Sequence, residues 1–359
     1  MSAPGATAAP AARRRWFRDW RVWLGVVISV ACGWYMLRGV PLSEVIDAMS
    51  QADLLPLLGL SIPAYVLSVW LRALRWRHLT NPIVSIDRPT LFRAQAIGFM
   101  VNNLAPLRIG ELVRSWYLAR ETRTSGASIL ATVVLERVLD MVSIPLIAAL
   151  ALALMSTGAD QGGMIAQGSM ILAGIALLPL VALVLLRVAP ERILAVVRFF
   201  AQPFPEHMGR WLEGTLRRFT SGLGALSGGR HLFWIVLHTV VIWLGTATVP
   251  IVAAVWAFHL DFGGALQTLA VCWLLLGATG VAVAIPSAPG FFGPYQIAYL
   301  EVLELYGVDS ATALGIGLVV WFIFWASLTI QGLVVMRLGR RSLTDLTRGP
   351  SKDPTSEDR

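Results

Sequence analysis

Long stretches of apolar residues, separated by short segments rich in arginine, dominate the pattern of this chain. Six of these stretches approach or exceed the ~20 residues that an α-helix needs to cross the hydrocarbon core of a bilayer. They predict full membrane spans at about 22–37, 54–71, 127–154, 168–187, 233–258 and 311–336. The sequence therefore predicts an all-α polytopic membrane protein.

Two further apolar regions, at about 91–121 and 267–306, are interrupted by the same phrase. Ala-Pro-x-x-x-Gly occurs at 105–110 and again at 288–293, 183 positions further along the chain. Proline and glycine break helices, and a broken helix at membrane depth must line a protein-buried or water-filled cavity. We predict that both regions are re-entrant helical hairpins with their turns near the membrane centre. The alternative is two ordinary kinked spans.

The distribution of arginine favours the hairpins, because cytoplasmic segments carry an excess of Lys and Arg. With the N-terminus in the cytoplasm, the inner segments would be 1–21, 72–126, 187–232 and 337–359. They hold 27 of the 29 Lys and Arg residues, and the two exceptions are Arg38 and Arg137. If either hairpin crossed completely, the arginine-rich segment 187–232 would lie outside. Six spans and two hairpins, with both termini cytoplasmic, fit the charges best.

The predicted order of elements repeats. A domain at 22–342 would contain repeat one (about 22–154) and repeat two (about 168–336), each composed of span, span, hairpin and span. An odd number of spans gives the second repeat an inverted topology, so the two hairpin tips would meet near the midplane. Paired broken helices in inverted repeats are typical of transporters. The flanking segments 1–21 and 343–359 are predicted to be disordered.

Composition removes several classes of function. Hydrophobic residues make up 56% of the chain and charged residues 14%, against roughly 45–50% and 25% in soluble domains. The net charge of +8 is explained by the inner arginines, so no nucleic acid partner is expected. Lys352 is the sole lysine, which excludes lysine-dependent nucleotide or Schiff-base sites. The two cysteines and five histidines show no metal spacing. We expect no cofactor and no enzyme activity.

Charged and amide side chains cluster in the first repeat, within or beside apolar segments. The candidate binding residues are Asn102, Asn103, Arg108, Glu111, Arg114, Glu136, Arg137 and Asp140. A charge at the bilayer centre costs at least ~2.5–3.5 kcal/mol, so each needs a partner or a ligand. One interpretation is an ion-pair network between the first hairpin and the third span. The other is an anion site, because the guanidinium fork matches phosphate oxygens. Glu111 or Asp140 could instead couple transport to protons.

The second hairpin is uncharged and supplies flexible backbone and aromatic surface, which favours a gate or the lipid-tail side of a cavity. The candidate gate residues of both hairpins are Pro106, Gly110, Pro286, Ser287, Pro289, Gly290, Gly293, Tyr295 and Gln296. The segment 187–232 is predicted to form an amphipathic helix along the inner membrane surface.

Three stretches resemble a known family. Residues 102–114, 131–140 and 285–296 are similar to motifs of the lysylphosphatidylglycerol synthase transmembrane region, the flippase-like domain of bacterial multiple-peptide-resistance proteins. The resemblance covers about 20–340 and implies a lipid translocase with two re-entrant hairpins around a headgroup cavity. In full-length relatives a soluble domain transfers lysine to phosphatidylglycerol. Here about 20 polar residues follow the last span, so aminoacyl transfer is not expected.

The expected function is flip-flop of an anionic or lipid-linked amphiphile across a bacterial inner membrane, with a phospholipid or a polyprenyl- or hopanoid-type lipid as cargo. One alternative is secondary transport of a small soluble anion through the same cavity. Another is a non-catalytic partner that presents lipid to a separate envelope glycosyltransferase or synthase. The sequence makes no prediction of the oligomeric state.

Overall fold

The computed structural model is helical throughout the part of the chain that it describes, and it contains no strand there. The described residues are 20–105, 108–155, 188–202, 229–285 and 287–339, with isolated positions between 170 and 185 and at 209, 213 and 214. Almost all of the predicted terminal tails, most of the predicted span at 168–187 and most of the predicted amphipathic segment beyond residue 202 lie outside these ranges.

The described helices are assigned to the two predicted repeats, and the division into repeats stays a prediction. In the first repeat they are α1 (Trp20–Leu37), α2 (Leu42–Ser50), α3 (Leu54–Thr80), α4 (Arg88–Leu104), α5 (Gly110–Thr122) and α6 (Gly126–Met155). In the second they are α7 (Pro190–Ala201), α8 (Gly229–Val240), α9 (Val249–Ala257), α10 (Ala265–Ala284), α11 (Pro294–Glu304) and α12 (Ser310–Leu338). A π-helical turn, Val241–Thr246, joins α8 to α9, and a 3₁₀ turn, Pro289–Phe291, precedes α11.

Five of the described helices are long and apolar enough to cross a membrane, which confirms a multi-pass helical membrane protein. They are α3, α6, the continuous helix from 229 to 257, α10 and α12. Four of them match predicted full spans. The fifth, α10, had been predicted as the first arm of a hairpin, and α1 contributes a shorter apolar helix at Trp23–Met36.

Both interrupted regions contain two α-helices separated by a break that is not α-helical in its described residues. The first break (residues 105–109, of which 106 and 107 are not described) separates α4 from α5, and the second break (residues 285–293, of which 286 is not described) separates α10 from α11. In each region the two helices pack on one another. Proline explains both positions, because Ala105 and Ile285 each precede a proline in the sequence and are extended, and Pro294 suits the first turn of α11. The re-entrant placement of these regions in the membrane stays a prediction.

The end of α3 differs from the prediction. The apolar pattern stops at residue 71, but the helix continues to Thr80. The extra turns carry Arg72 and Arg75, which had been assigned to an inner loop. Their side chains reach carboxylates on α6, so these charges lie inside the helix bundle.

Glycines bring helices of the two repeats into close contact. A Cβ at Gly280 on α10 would lie 2.7 Å from Cγ2 of Ile144 on α6, and one at Gly277 would lie 2.6 Å from Cβ of Ala148. Two buried apolar clusters form around this contact, one centred on α9 to α12 and the other on α3 to α6. The candidate site lies between them.

Candidate functional site

The two breaks meet at one cavity of about 450 Å³. The first hairpin region contributes Asn102, Asn103 and Arg108 to its wall, and the second contributes Phe291 and Tyr295. Helices α3, α6 and α12 and the π-helical turn complete the lining. The structure therefore brings the two repeated sequence phrases to one cavity through Arg108 and Phe291.

The cavity is charged at one end and apolar at the other. On α6 the lining changes from Arg137 and Asp140 to Met141 and then Ile144. On α3, which runs in the opposite direction beside α6, it changes from Arg72 through Ser68 to Tyr65. An amphiphilic molecule could therefore place its polar part at the charged end and its apolar part at the other end.

Asp140 is the centre of the charged end. Its Oδ1 lies 2.9 Å from Nη2 of Arg75, and its Oδ2 lies 3.2 Å from Nη1 of Arg137 and 3.5 Å from Nη1 of Arg72. The indole Nε1 of Trp243 also donates a hydrogen bond of 3.3 Å to Oδ1. Four donors from three different elements thus converge on one buried carboxylate.

Glu136 lies behind the cavity wall and is fully buried. Its Oε2 is 3.1 Å from Nη1 of Arg114, and its Oε1 is 3.4 Å from Nη2 of Arg75. Gln95 connects the same groups, since it donates to Glu136 and accepts from Arg114. Glu136 and Arg114 were predicted to bind substrate, but neither lines the cavity. Their geometry is that of an ion-pair network that fastens α4 and α5 to α6.

Arg72 and Arg75 are the site residues that sequence reasoning missed. The signal was present, because two arginines three positions apart at the end of an apolar run lie on one helical face. Their partner Asp140 is 65 or more positions away along the chain, so only the fold shows the pairing.

These two residues change the charge balance of the site. The cluster contains five guanidinium groups and three carboxylates: Arg72, Arg75, Arg108, Arg114 and Arg137, with Glu111, Glu136 and Asp140. Arginine stays protonated in proteins, so the cluster carries an excess of two positive charges. The sequence had predicted an even balance of three and three. An excess of buried cations favours an anionic ligand.

Arg108 holds a special position at the mouth of the charged end. It precedes the first turn of α5, in the left-handed region with φ 52°, so it belongs to the first break. Its guanidinium donates to the carbonyl oxygen of Val283 and lies 5.2 Å from the ring centroid of Phe291. Among the described residues no carboxylate oxygen lies within 4 Å of it. Arg108 is therefore the cavity arginine with the most capacity for a ligand.

Glu111 and the two asparagines shape the wall around Arg108. Glu111 Oε1 lies 3.1 Å from Nε of Arg137. Asn102 Oδ1 accepts a hydrogen bond of 2.8 Å from the backbone N–H of Gly110 across the first break. Asn103 Nδ2 donates to the carbonyl oxygen of Trp325 at 3.1 Å. Both amides border the cavity, and both have a role in holding the break. Pro106 lies outside the described residues.

The second break is held by helices on both sides. On α12, Trp321 Nε1 donates to the carbonyl oxygen of Gly290 at 2.6 Å. On α1, Ser29 Oγ donates to the carbonyl oxygen of Phe292 at 2.7 Å and accepts from the N–H of Ala288 at 2.9 Å. The predicted gate segment is thus braced in this conformation.

The other predicted gate residues complete this segment. Pro289 starts the 3₁₀ turn, Gly293 has φ 103°, and its N–H donates to Oε1 of Gln296 at 2.8 Å. The carbonyl oxygen of Ser287 packs against Gly25, where a Cβ would lie 2.8 Å away. Of the predicted gate residues, Tyr295 lines the cavity, and Pro286 lies outside the described residues.

A glycine pair separates crowding from backbone strain in the second break. Gly290 and Gly307 have similar φ values of 76° and 78°. A Cβ at Gly290 would lie 2.7 Å from Cδ1 of Trp325, whereas a Cβ at Gly307 would have no described atom within 4 Å. A positive φ costs a non-glycine residue ~1–3 kcal/mol. We expect Gly290→Ala to lower the melting temperature in detergent clearly more than Gly307→Ala. Equal shifts would contradict the close packing on Trp325.

The comparisons with known proteins agree with this architecture. The family model of the lysylphosphatidylglycerol synthase TM region matches residues 22–332. The UPF0104 membrane protein PH1989 of Pyrococcus horikoshii is 25% identical over 337 residues, covering 88% of this chain and 96% of that protein. A UPF0104 membrane protein of Methanothermobacter thermautotrophicus is 25% identical over 302 residues, covering 80% and 86%.

A third relative is a longer protein. Glycosyltransferase AglD of Haloferax volcanii is 24% identical over 316 residues, which cover 81% of this chain and 50% of that protein. No solved structure matches the chain significantly. The family model covers both hairpin regions and most of the described helices. This chain therefore belongs to the lysylphosphatidylglycerol synthase TM region family.

Proposed function

We propose that this protein moves an anionic amphiphilic lipid between the two leaflets of a cytoplasmic membrane. The observation that carries the proposal is the cavity itself, which is lined at one end by three arginines and two carboxylates and at the other end by apolar side chains. The headgroup would bind at Arg108, Arg137 and Arg72. Guanidinium groups suit this role because they bind phosphate oxygens through paired hydrogen bonds.

The exposure of the cavity wall supports a lipid over a small soluble anion. Met141 on α6 is 62% exposed and Ala284 at the end of α10 is exposed, yet both line the cavity. This exposure supports a side opening of the cavity beside Met141 and the end of α10, on helices that are apolar enough to span the membrane. A volume of about 450 Å³ lies within the usual range for small-molecule sites. It would hold a headgroup while the tails pass through the side opening.

The proposed activity moves the lipid without changing it chemically. The arginine distribution supports cytoplasmic termini, and we propose a bacterial inner membrane, although the three relatives above are archaeal. The likeness to a protein named a glycosyltransferase supports a cargo from an envelope-lipid pathway, of the phospholipid, polyprenyl or hopanoid type. It also makes a lipid-presenting role beside such an enzyme the alternative that a transport assay must test.

Native mass spectrometry of the purified protein tests the proposal through the lipids that it retains. We expect the wild type to retain one enriched class of anionic lipid and Arg108→Ala to lose it. Arg38→Ala is the matched control, because Arg38 is exposed and packs on Trp34, away from the cavity. Equal retention of bulk phospholipids by all three proteins would contradict a headgroup site at Arg108.

A further inference from the structure

One face of α3 carries a polar or charged residue at every turn, although most of the helix before Trp76 is apolar. These residues are Ser61, Tyr65, Ser68, Arg72 and Arg75. At 3.6 residues per turn and 1.5 Å per residue, their spacing of 4, 3, 4 and 3 confines them to an arc of about 80° and extends them along about 21 Å. This polar face of α3 thus covers some two thirds of the ~30 Å hydrocarbon core.

The polar face extends beyond the cavity. Arg72 and Arg75 belong to the charged cluster, and Ser68 and Tyr65 line the cavity. Ser61 lies one turn further and is buried, and its Oγ has no hydrogen-bond partner among the described residues. A buried hydroxyl without a partner is unfavourable. Leu57, one more turn along, is completely buried and ends the polar face.

Helix α11 presents hydroxyl groups on the opposite side. The ring of Tyr65 packs edge-on against Phe324 with the centroids 5.6 Å apart, and Tyr295 stacks on the same ring at 6.1 Å. One turn further along α11, Tyr299 stacks on Tyr295 at 5.5 Å. Side chains that carry hydroxyl groups therefore lie on both α3 and α11, with Phe324 of α12 between Tyr65 and Tyr295.

A proline lies on α3 between the residues that line the cavity and the buried segment around Ser61 and Leu57. Pro63, between Ser61 and Tyr65, has no N–H to donate to the carbonyl oxygen of Gly59. Helices bend preferentially at such positions. A bend there would move the segment around Ser61 and Leu57 without disturbing the ion pairs of Arg72 and Arg75.

We infer that the polar face of α3, with Tyr295 and Tyr299 opposite, is the route by which the headgroup leaves the charged cluster toward the other membrane face. The inference rests on the proposed lipid translocation and adds its path. Ser68, Tyr65 and Ser61 supply hydrogen bonds in succession while the tails stay in the lipid. The buried segment around Leu57 blocks this route, and a bend of α3 at Pro63 opens it.

The test separates binding from passage. A double variant, Ser61→Ala with Tyr299→Phe, removes two hydroxyl groups that lie outside the cavity wall and leaves every charge in place. Tyr306→Phe is the control, since its hydroxyl lies outside this route and contacts Met155. Retention of phosphatidylglycerol is measured by native mass spectrometry, and its translocation is measured in liposomes with a fluorescent short-chain analogue. We expect retention to be unchanged and translocation to fall about tenfold.

A second variant, Ser61→Leu, fills the route with a bulky side chain and should also stop translocation while the lipid stays bound. Melting temperatures identify any variant that fails to fold. Unchanged translocation in both folded variants would overturn the inferred route, and so would an equal loss of retention and translocation, because the hydroxyls would then belong to the binding site. A wild type that neither retains nor moves anionic lipid would overturn the proposed function itself.

Discussion

Replacing Glu136 with glutamine is expected to lower the free energy of unfolding by about 3–5 kcal/mol, because the change leaves buried arginines without their counter-charge. Glu136 lies within 3.6 Å of guanidinium nitrogens from three residues, Arg75, Arg114 and Arg137. The melting temperature of the purified protein in detergent measures the effect. We expect a loss of folded protein or a large decrease in that temperature.

Two further variants identify the cause of this loss. Glu44→Gln removes a carboxylate from the exposed surface of α2 and should leave the melting temperature unchanged. Combining Glu136→Gln with Arg114→Gln removes one of the arginines left uncompensated, so part of the stability should return. A Glu136→Gln protein as stable as the wild type would show that the buried network does not hold the first hairpin to α6.

Replacing Arg108 with glutamine is expected to do the opposite, with little change in stability and a large loss of transport. Arg108 has no carboxylate within 4 Å among the described residues, so its removal leaves no buried charge unpaired. Hydrogen bonds to charged groups are worth ~1.5–3 kcal/mol, which corresponds to a roughly 10- to 100-fold slower translocation. The rate in liposomes, compared with that of Arg38→Gln, measures this effect.

The contrast between Glu136 and Arg108 distinguishes structural charges from ligand-binding ones. If Arg108→Gln were to unfold the protein while its transport per folded molecule stayed normal, Arg108 would be a structural residue. The contact of its guanidinium with Val283 and Phe291 would then be its main role, as a link between the two breaks.

Much of the fold could be predicted because the membrane imposes strong local rules. Apolar runs of sufficient length placed α3, α6, the 229–257 helix and α12, and the repeated Pro and Gly positions placed both breaks. The predicted end of α3 is nine residues too early, because arginine normally marks the membrane surface and therefore indicates the end of a span. Here the arginines enter the bundle, where carboxylates on another helix compensate the cost of burial.

The roles within the candidate site depend on long-range geometry and could not be predicted from spacing. Glu136 and Asp140 share a helical face, yet Glu136 lies behind the wall and Asp140 lines the cavity. Likewise Arg114 and Arg108 are six positions apart, but one is buried between α4 and α6 and the other faces the cavity. The polar residues of α3 recur with a helical period in the sequence, but their relation to the site can be recognised only when the cavity beside them is known.

The central claim is that this protein moves anionic lipids, and translocation by the purified wild type in liposomes tests it most directly. Two fluorescent reporter lipids with the same tails, phosphatidylglycerol and phosphatidylcholine, are compared with protein-free liposomes. The excess of positive charge in the cavity wall and the ion pairs behind it predicts that the protein accelerates the exchange of phosphatidylglycerol between leaflets and leaves that of phosphatidylcholine nearly unchanged. Equal rates with and without protein, or equal acceleration of both lipids, would contradict the account.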